Sequence, residues 1–380
     1  MPAVLIYGDT VRSPELRHEI PLAIVDPFLY AERDGSRFAV VSSLERDRVE
    51  AAAPDVELLA PEELGYDELM ASGRPRHEVE LELCARACER LGIRAAAVPP
   101  GTPVAIADRL RAGGIELTPD AGAFVARRRV KNAAELAGIR RAQAAANAGM
   151  AAGAQMLRES RVRDGALEHG GETLTSERVR ARIREACAAH GAPAAPDIIV
   201  AAGGQGASGH DPGSGTLPPD TPIIVDIWPQ DEASGCFADM TRTFVVGTPA
   251  DDVAEMHALA LASLQAVGKA ARAGIRAVDL YGVACEPFEA AGHPTQRTKQ
   301  AGQTLRDGFF HSLGHGVGLE VHEPPVLGRV DEEPLLAGEV FAVEPGSYRS
   351  GYGGVRLEDL LVITEDGAEV LTAFPYDLAP

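Results

Sequence analysis

The chain has 380 residues, 56 of them acidic against 36 basic, for a formal net charge of −20. That length admits two domains, and the acidity argues against nucleic acid and anionic membrane surfaces as partners. No uninterrupted apolar run approaches the ~20 residues that a spanning helix needs.

The opening segment, residues 1–8, lacks the basic lead and long apolar stretch of a signal peptide. Residues 4–7, 28–31 and 38–42 have strand composition, with Asp34 and Gly35 as a hairpin-type turn between the last two. Helices are predicted over 44–52 and 77–91, then a strand over 95–98 and a helix over 103–112. Thr102 is the expected N-cap of that helix, Pro103 its first residue, and Gly113 and Gly114 its stop. Residues 1–126 thus read as a smaller α/β domain without a catalytic motif.

A boundary falls at Arg127, Arg128, Arg129 and Lys131, read as an interdomain or surface patch. The second domain, residues 127–380, opens with an Ala-rich helix predicted over 133–160. Gly170 and Gly171 break the chain before a helix over 176–189, and two further helices are predicted over 251–273 and 278–291. The strands between them read as antiparallel hairpins, so the chain as a whole is α+β. Five cysteines, Cys84, Cys88, Cys187, Cys236 and Cys285, are scattered and lack Cys-x-x-Cys spacing. They read as buried thiols of a cytoplasmic protein.

The densest chemistry lies in His311-Ser312-Leu313-Gly314-His315-Gly316-Val317-Gly318-Leu319-Glu320-Val321-His322-Glu323. Gly314, Gly316 and Gly318 are not a dinucleotide loop, because Pro324 and Pro325 follow where a helix would be required. They are expected to let the backbone pass close to metals and substrate. Around this run, Asp226, Asp239, Glu344 and Glu358 each sit in apolar, strand-like sequence. A charged acid there is costly unless something neutralises it. Four such acids with one or two histidines suggest a shared cation site. His210 precedes Asp226 by sixteen residues, between glycine and proline neighbours that also suit a surface turn.

These residues, in this order, resemble the M24 metallopeptidases, which include the Xaa-Pro dipeptidases (prolidases), the Xaa-Pro aminopeptidases and the methionine aminopeptidases. The similarity covers roughly residues 130–375, and the 311–323 run is nearest to the short prolidases. The resemblance implies a pita-bread catalytic domain holding two divalent ions, manganese or cobalt first, with zinc or iron tolerated. It implies Asp226 on one ion, Asp239 and Glu358 on both, and His315 and Glu344 on the second. Two dications also balance the charge of four carboxylates. His210, His311, His322 and Glu344 would be catalytic, the substrate a small peptide with proline second, and the assembly a homodimer.

Three points depart from the family pattern or stay open. Asp226 and Asp239 are thirteen positions apart, slightly more than is usual, and the excess is assigned to a loop over 229–235 with Asp231 and Glu232 at a solvated tip. A slip within the ladder would instead turn one carboxylate to the other face. Val326 stands where many prolidases carry an arginine for the substrate carboxylate, so Arg329, three residues on, is the candidate. Arg356 either orients Glu358 or a substrate group, or forms an ion pair with Asp359 or another acid. The leading function is therefore an Xaa-Pro dipeptidase, with an Xaa-Pro aminopeptidase of longer peptides as alternative. A metal-free creatinase-like hydrolase, or a non-catalytic scaffold, would not require all five ligand positions.

Overall fold

A computed structural model describes residues 3–380. The chain parts into two compact units, one reaching Arg128 and including Ala233–Gly235, the other formed by Arg129–Glu232 and Cys236–Pro380.

The first unit is built on a six-stranded sheet in the spatial order Val56–Leu59, Ser36–Val40, Phe28–Arg33, Ala3–Gly8, Ala95–Val98, Glu116–Pro119. Alternation along its strands feeds two cores. Leu5 and Leu29 pack with Val79, Leu83 and Leu110 on one face. Ile6 and Tyr30 pack with Leu16, Ile20 and Val49 on the other. The outer strands Val56–Leu59 and Glu116–Pro119 and the helices Pro14–Glu19, Tyr66–Ala71 and Ala121–Arg129 were not expected from sequence. All are short, and too few periods of alternation fit within them to stand out. Helix Ala121–Arg129 runs through the basic stretch read as a boundary. Its arginines are answered by acids: Arg127 by Glu19 and Glu32, and Arg129 by Glu333 and Glu339. The expected Thr102 cap is not formed. Its hydroxyl donates to the Pro99 carbonyl at 2.7 Å, and Pro103 takes the N-cap position of helix Val104–Ala112.

The second unit begins with helix Ala133–Glu159, whose start is closed by a capping box: Asn132 Oδ1 accepts from the Glu135 amide at 2.9 Å, and Glu135 Oε2 from the Asn132 amide at 3.0 Å. Helix Ser176–Ala189 packs against it. A three-stranded antiparallel sheet, Ile199–Ala202, Ile223–Ile227 and Met240–Phe244, shares their core. A five-stranded sheet in the order Glu323–Leu327, Gly314–Gly316, Val340–Val343, Asp359–Ile363, Ala368–Val370 lies between two cores. Val340, Ala342, Leu360 and Val362 face the first core. Phe341, Val343, Leu361 and Ile363 face the second, with helices Asp251–Ala270 and Ala277–Ala290. The strands are antiparallel throughout this unit, which also holds the hairpin Gly346–Arg349 with Gly353–Arg356 and a small sheet of Arg161–Arg163, Ala166–His169 and Glu172–Thr173.

The glycines of the histidine run serve strand packing. A Cβ on Gly314 would fall 1.8 Å from the Ala342 carbonyl oxygen, and one on Gly316 2.7 Å from that of Glu323. Among the described residues no helix is long and apolar enough to cross a membrane. All five cysteines are buried thiols outside any disulfide.

Small residues set the closeness of the first helix pair. A Cβ on Gly149 would lie 2.5 Å from Cys187 Sγ. Overpacking costs about 1–3 kcal/mol and alanine's helix preference returns about 1. Gly149→Ala is therefore expected to destabilise the protein by ~1 kcal/mol. The double variant with Cys187→Ala should be more stable than the two single losses predict. Denaturant unfolding of all four proteins tests this, and strict additivity would contradict the contact.

Candidate metal centre and the cavity around it

Sheet ends bring the acids together. Asp226 lies on strand Ile223–Ile227, opposite Ile199 on one side and Thr241 on the other. Asp239 immediately precedes strand Met240–Phe244, Glu344 immediately follows Val340–Val343, and Glu358 immediately precedes Asp359–Ile363. His315 is the middle residue of Gly314–Gly316, paired across to Ala342. The pairing from Ile223 to Ile227 with Phe244 to Met240 is unbroken, so the extra residues lie in the connection between the strands. That connection is not a solvated tip at Asp231. Its carboxylate is buried and accepts two bonds from Arg141, at 2.9 and 2.8 Å, while Glu232 is exposed.

One atom each of Asp239, His315 and Glu358 lies within 4.8 Å of the others. His315 Nε2 is 3.9 Å from both Asp239 Oδ2 and Glu344 Oε1. His315 Nδ1 is 3.1 Å from the Gly316 carbonyl, which can only accept. The proton therefore sits on Nδ1, and the Nε2 lone pair faces the carboxylates, as a metal ligand requires. Burial and the neighbouring His322 hold His315's pKa down to about 4, so the ring is neutral.

The acids are as strongly perturbed. Asp239 is pushed well above the usual carboxyl range by burial, then by Glu358, Asp226 and Glu344. Glu358 moves the same way through burial, Asp226 and Glu344. Burial takes Glu344 up to about 8, with Arg356 opposing and Asp226 reinforcing. Asp239 Oδ1 is buried with no hydrogen-bond partner. An orphaned carboxylate oxygen among three more acids and a neutral imidazole is the donor set of a divalent cation, and these residues fit one.

Arg356 is the guanidinium of the cluster. Nη2 donates to Asp226 Oδ2 at 2.5 Å, Nη1 to the Tyr348 hydroxyl at 3.1 Å, and Nε lies 3.9 Å from Glu344 Oε2. Its partner is thus Asp226 and not Asp359, which instead accepts from Arg242 at 2.9 Å and from Tyr376 at 2.6 Å. Tyr348 continues the chain to His311 Nε2 at 3.1 Å. His311 Nδ1 donates to the Ser312 carbonyl at 2.7 Å, and burial, with Arg356 adding to it, lowers its pKa to about 4. Nε2 is therefore the acceptor and Tyr348 the donor.

A cavity of about 400 Å³ contains Asp226, Asp239, His315, Glu344, Glu358 and Arg356, and His210 and His322 also line it. His311 is not part of that lining and reaches the cluster through Tyr348. Arg329 lines a different cavity, with Tyr281, Gln296 and Arg297. Tyr348, Thr241, which donates to Glu358 Oε2 at 2.7 Å, and Trp228 on the cavity wall were not singled out from sequence. Thr241 had a signal available: in Asp239-Met240-Thr241-Arg242-Thr243 it shares a strand face with Asp239. Tyr348 had none.

The profile of metallopeptidase family M24 matches residues 137–365, and the chain belongs to that family. It is 40% identical to the Xaa-Pro dipeptidase of Pyrococcus furiosus over 141 residues, 37% of this chain and 37% of that protein. It is 33% identical to the probable dipeptidase PepE of Mycobacterium tuberculosis over 205 residues, 54% of this chain and 51% of that one. The matched stretches thus span about half or less of these relatives' length. The prolidase structure from Pyrococcus furiosus superposes with a TM-score of 0.76 at 23% identity, covering 99% of this chain and 97% of that one. The architecture is accordingly the α+β pita-bread fold that the resemblance implied. A metallopeptidase family implies a divalent metal, and the Asp239, His315 and Glu358 cluster is a place to hold it.

The raised carboxyls make metal affinity and pH inseparable. In the metal-free chain the folded state keeps protons on Asp239, Glu344 and Glu358 that the unfolded state has released. These groups therefore weaken folding as pH rises from ~4 in the unfolded range towards about 8 for Glu344. A bound cation cancels that repulsion. The increase in Tm caused by a divalent metal should be larger near pH 8 than near pH 5. Melts with and without metal at both values test this, and an equal increase would count against it.

Proposed function

We propose that this chain removes the amino-terminal residue from small peptides with proline in second place, as an Xaa-Pro dipeptidase. The observation that carries the reading is the convergence of Asp239, His315 and Glu358 with an orphaned Asp239 oxygen. Two divalent ions, manganese or cobalt first, would be held by Asp226, Asp239, His315, Glu344 and Glu358, with Asp239 and Glu358 serving both. When bound, such ions lower the pKa of water and polarise a carbonyl.

The protein groups do the rest. Glu344 takes the proton from water and hands it to the departing proline nitrogen. His322 and His210, both on the cavity lining, donate N–H groups to the developing oxyanion or the scissile amide. Burial, with His210 adding to it, keeps the pKa of His322 below its ordinary value. The ring is then neutral at physiological pH and retains one N–H to give. His311 acts through the Tyr348 hydroxyl, and Arg356 holds Asp226 in place. The chemistry belongs to residues 127–380. Five buried cysteines outside any disulfide accord with a cytoplasmic protein, and a homodimer is the proposed assembly.

A second reading, an Xaa-Pro aminopeptidase acting on longer peptides, is favoured by one observation. Arg329, the candidate for the dipeptide's free carboxylate, lines a separate cavity, and its Nη1 lies 3.4 Å from the Gln296 carbonyl. The two readings separate on Ala-Pro against Ala-Pro-Ala. Faster cleavage of the dipeptide, reduced by Arg329→Ala, supports the dipeptidase. Faster cleavage of the tripeptide, with the dipeptide untouched by Arg329→Ala, selects the aminopeptidase.

Ligands and donors separate by metal analysis. His315→Ala should lose metal and activity together. His322→Ala should retain its metal while losing ~2–4 kcal/mol of transition-state stabilisation. Elemental analysis beside kcat/KM decides, and an active, metal-replete His315→Ala would defeat the assignment.

A further inference from the structure

Beside the acids, the cavity lining carries the apolar side chains Ile199, Pro212, Trp228 and Val321, and Ile199 and Trp228 pack in one cluster that forms an apolar wall. Asp197 shares the lining, in the turn before strand Ile199–Ala202. It is exposed and stands outside the acid cluster. Among the described residues neither the Asp197 carboxylate nor the Trp228 indole N–H has a hydrogen-bond or ion-pair partner. The one arginine on the lining, Arg356, is committed to Asp226 and Tyr348. Ile199 is the direct cross-strand neighbour of Asp226, so the apolar wall starts beside the acid cluster.

We propose that this wall receives the side chain of the substrate's amino-terminal residue and prefers a long basic one, lysine or arginine. The proposal rests on the peptidase reading above, and names the substrate class within it. A residue cleaved at the acid cluster would place its side chain in the same cavity that Ile199 and Trp228 line. Lysine and arginine combine an apolar stem with a charged head, which matches an apolar wall bearing one free carboxylate. The stem lies along Ile199 and the indole, and the head reaches Asp197. An indole face also attracts a cation more strongly than other aromatic rings do. A neutral aliphatic residue fills the same wall but leaves Asp197 to water. An acidic residue meets repulsion from Asp197 and from the cluster. Because Asp197 is exposed, its gain is that of a solvated ion pair, about fivefold in affinity at most.

Trp228 is the chain's only tryptophan, so its emission reports occupancy of this wall. Metal-loaded protein is titrated with lysinamide and with norleucinamide, which share an α-amine and an amide. Attraction of the shared α-amine to the acid cluster then cancels from their ratio, and the effect of the side-chain head remains. Lysinamide should bind more tightly than norleucinamide, by up to about fivefold, and Asp197→Asn should erase the difference. Equal affinities in the wild type, or a preference that survives Asp197→Asn, overturn the proposal. Turnover is scored separately as kcat/KM for Lys-Pro-Ala over norleucyl-Pro-Ala, and for the matching dipeptides. Hydrolysis of both side chains at equal rates, unaffected by Asp197→Asn, rejects the selectivity and leaves the peptidase. No hydrolysis of any of them, with the fluorescence preference intact, rejects the peptidase and leaves the selectivity of the wall.

Discussion

Four carboxylates, Asp226, Asp239, Glu344 and Glu358, converge on one cavity, where a single guanidinium answers them. Bare carboxylates cannot all remain ionised in such a setting. Some must hold protons, as the raised pKa values of Asp239, Glu344 and Glu358 express, or cations must enter. Much of the second unit can be read as the framework that keeps these groups close despite their repulsion. Each acid sits on or at the end of a strand of largely buried residues, so it cannot swing away without disturbing a sheet. The sheet with Val340–Val343 and Asp359–Ile363 is packed on both faces, which fixes Glu344 and Glu358 from behind.

Arg356 gives this cluster its asymmetry. By binding Asp226 and Tyr348 it sets a positive charge against one carboxylate and fixes a phenol that in turn donates to His311. One flank of the site is therefore a hydrogen-bonded relay, in which each donor has a defined acceptor. The other flank, around Asp239, has an oxygen without a partner. A buried polar group left unsatisfied is costly unless a ligand completes it.

The acids and histidines were legible because each lies in a local pattern that is improbable for its position. An aspartate in Val225-Asp226-Ile227, or a glutamate after Val343, breaks strand alternation for a reason the chain must supply elsewhere. The long helices were legible for the opposite reason: Ala133–Glu159 and Ser176–Ala189 repeat one pattern over several turns. Short elements such as Val56–Leu59 and Tyr66–Ala71 offered too few repeats. Asp231 was misread because polar neighbours and Gly235 suggest a solvated turn, while its partner Arg141 is ninety positions away. Arg329 was chosen by nearness along the chain to Val326, which carries no information about which cavity a loop faces.

By itself the sequence determined which residues are the candidates for chemistry, because charge inside apolar strands and glycine around histidine are local facts. It also determined that the second unit is α+β, since periodicity distinguishes long helices from alternating strands. Only the tertiary structure decided partnership. Arg356 pairs with Asp226, 130 positions away, and not with nearby Asp359, because the sheets bring distant strand ends together. The same folding placed His311 behind Tyr348 and brought Asp197 and Trp228 to the lining of one cavity. Electrostatic and packing energies depend on distance in space, and a linear pattern specifies that distance only within one helix turn or one hairpin.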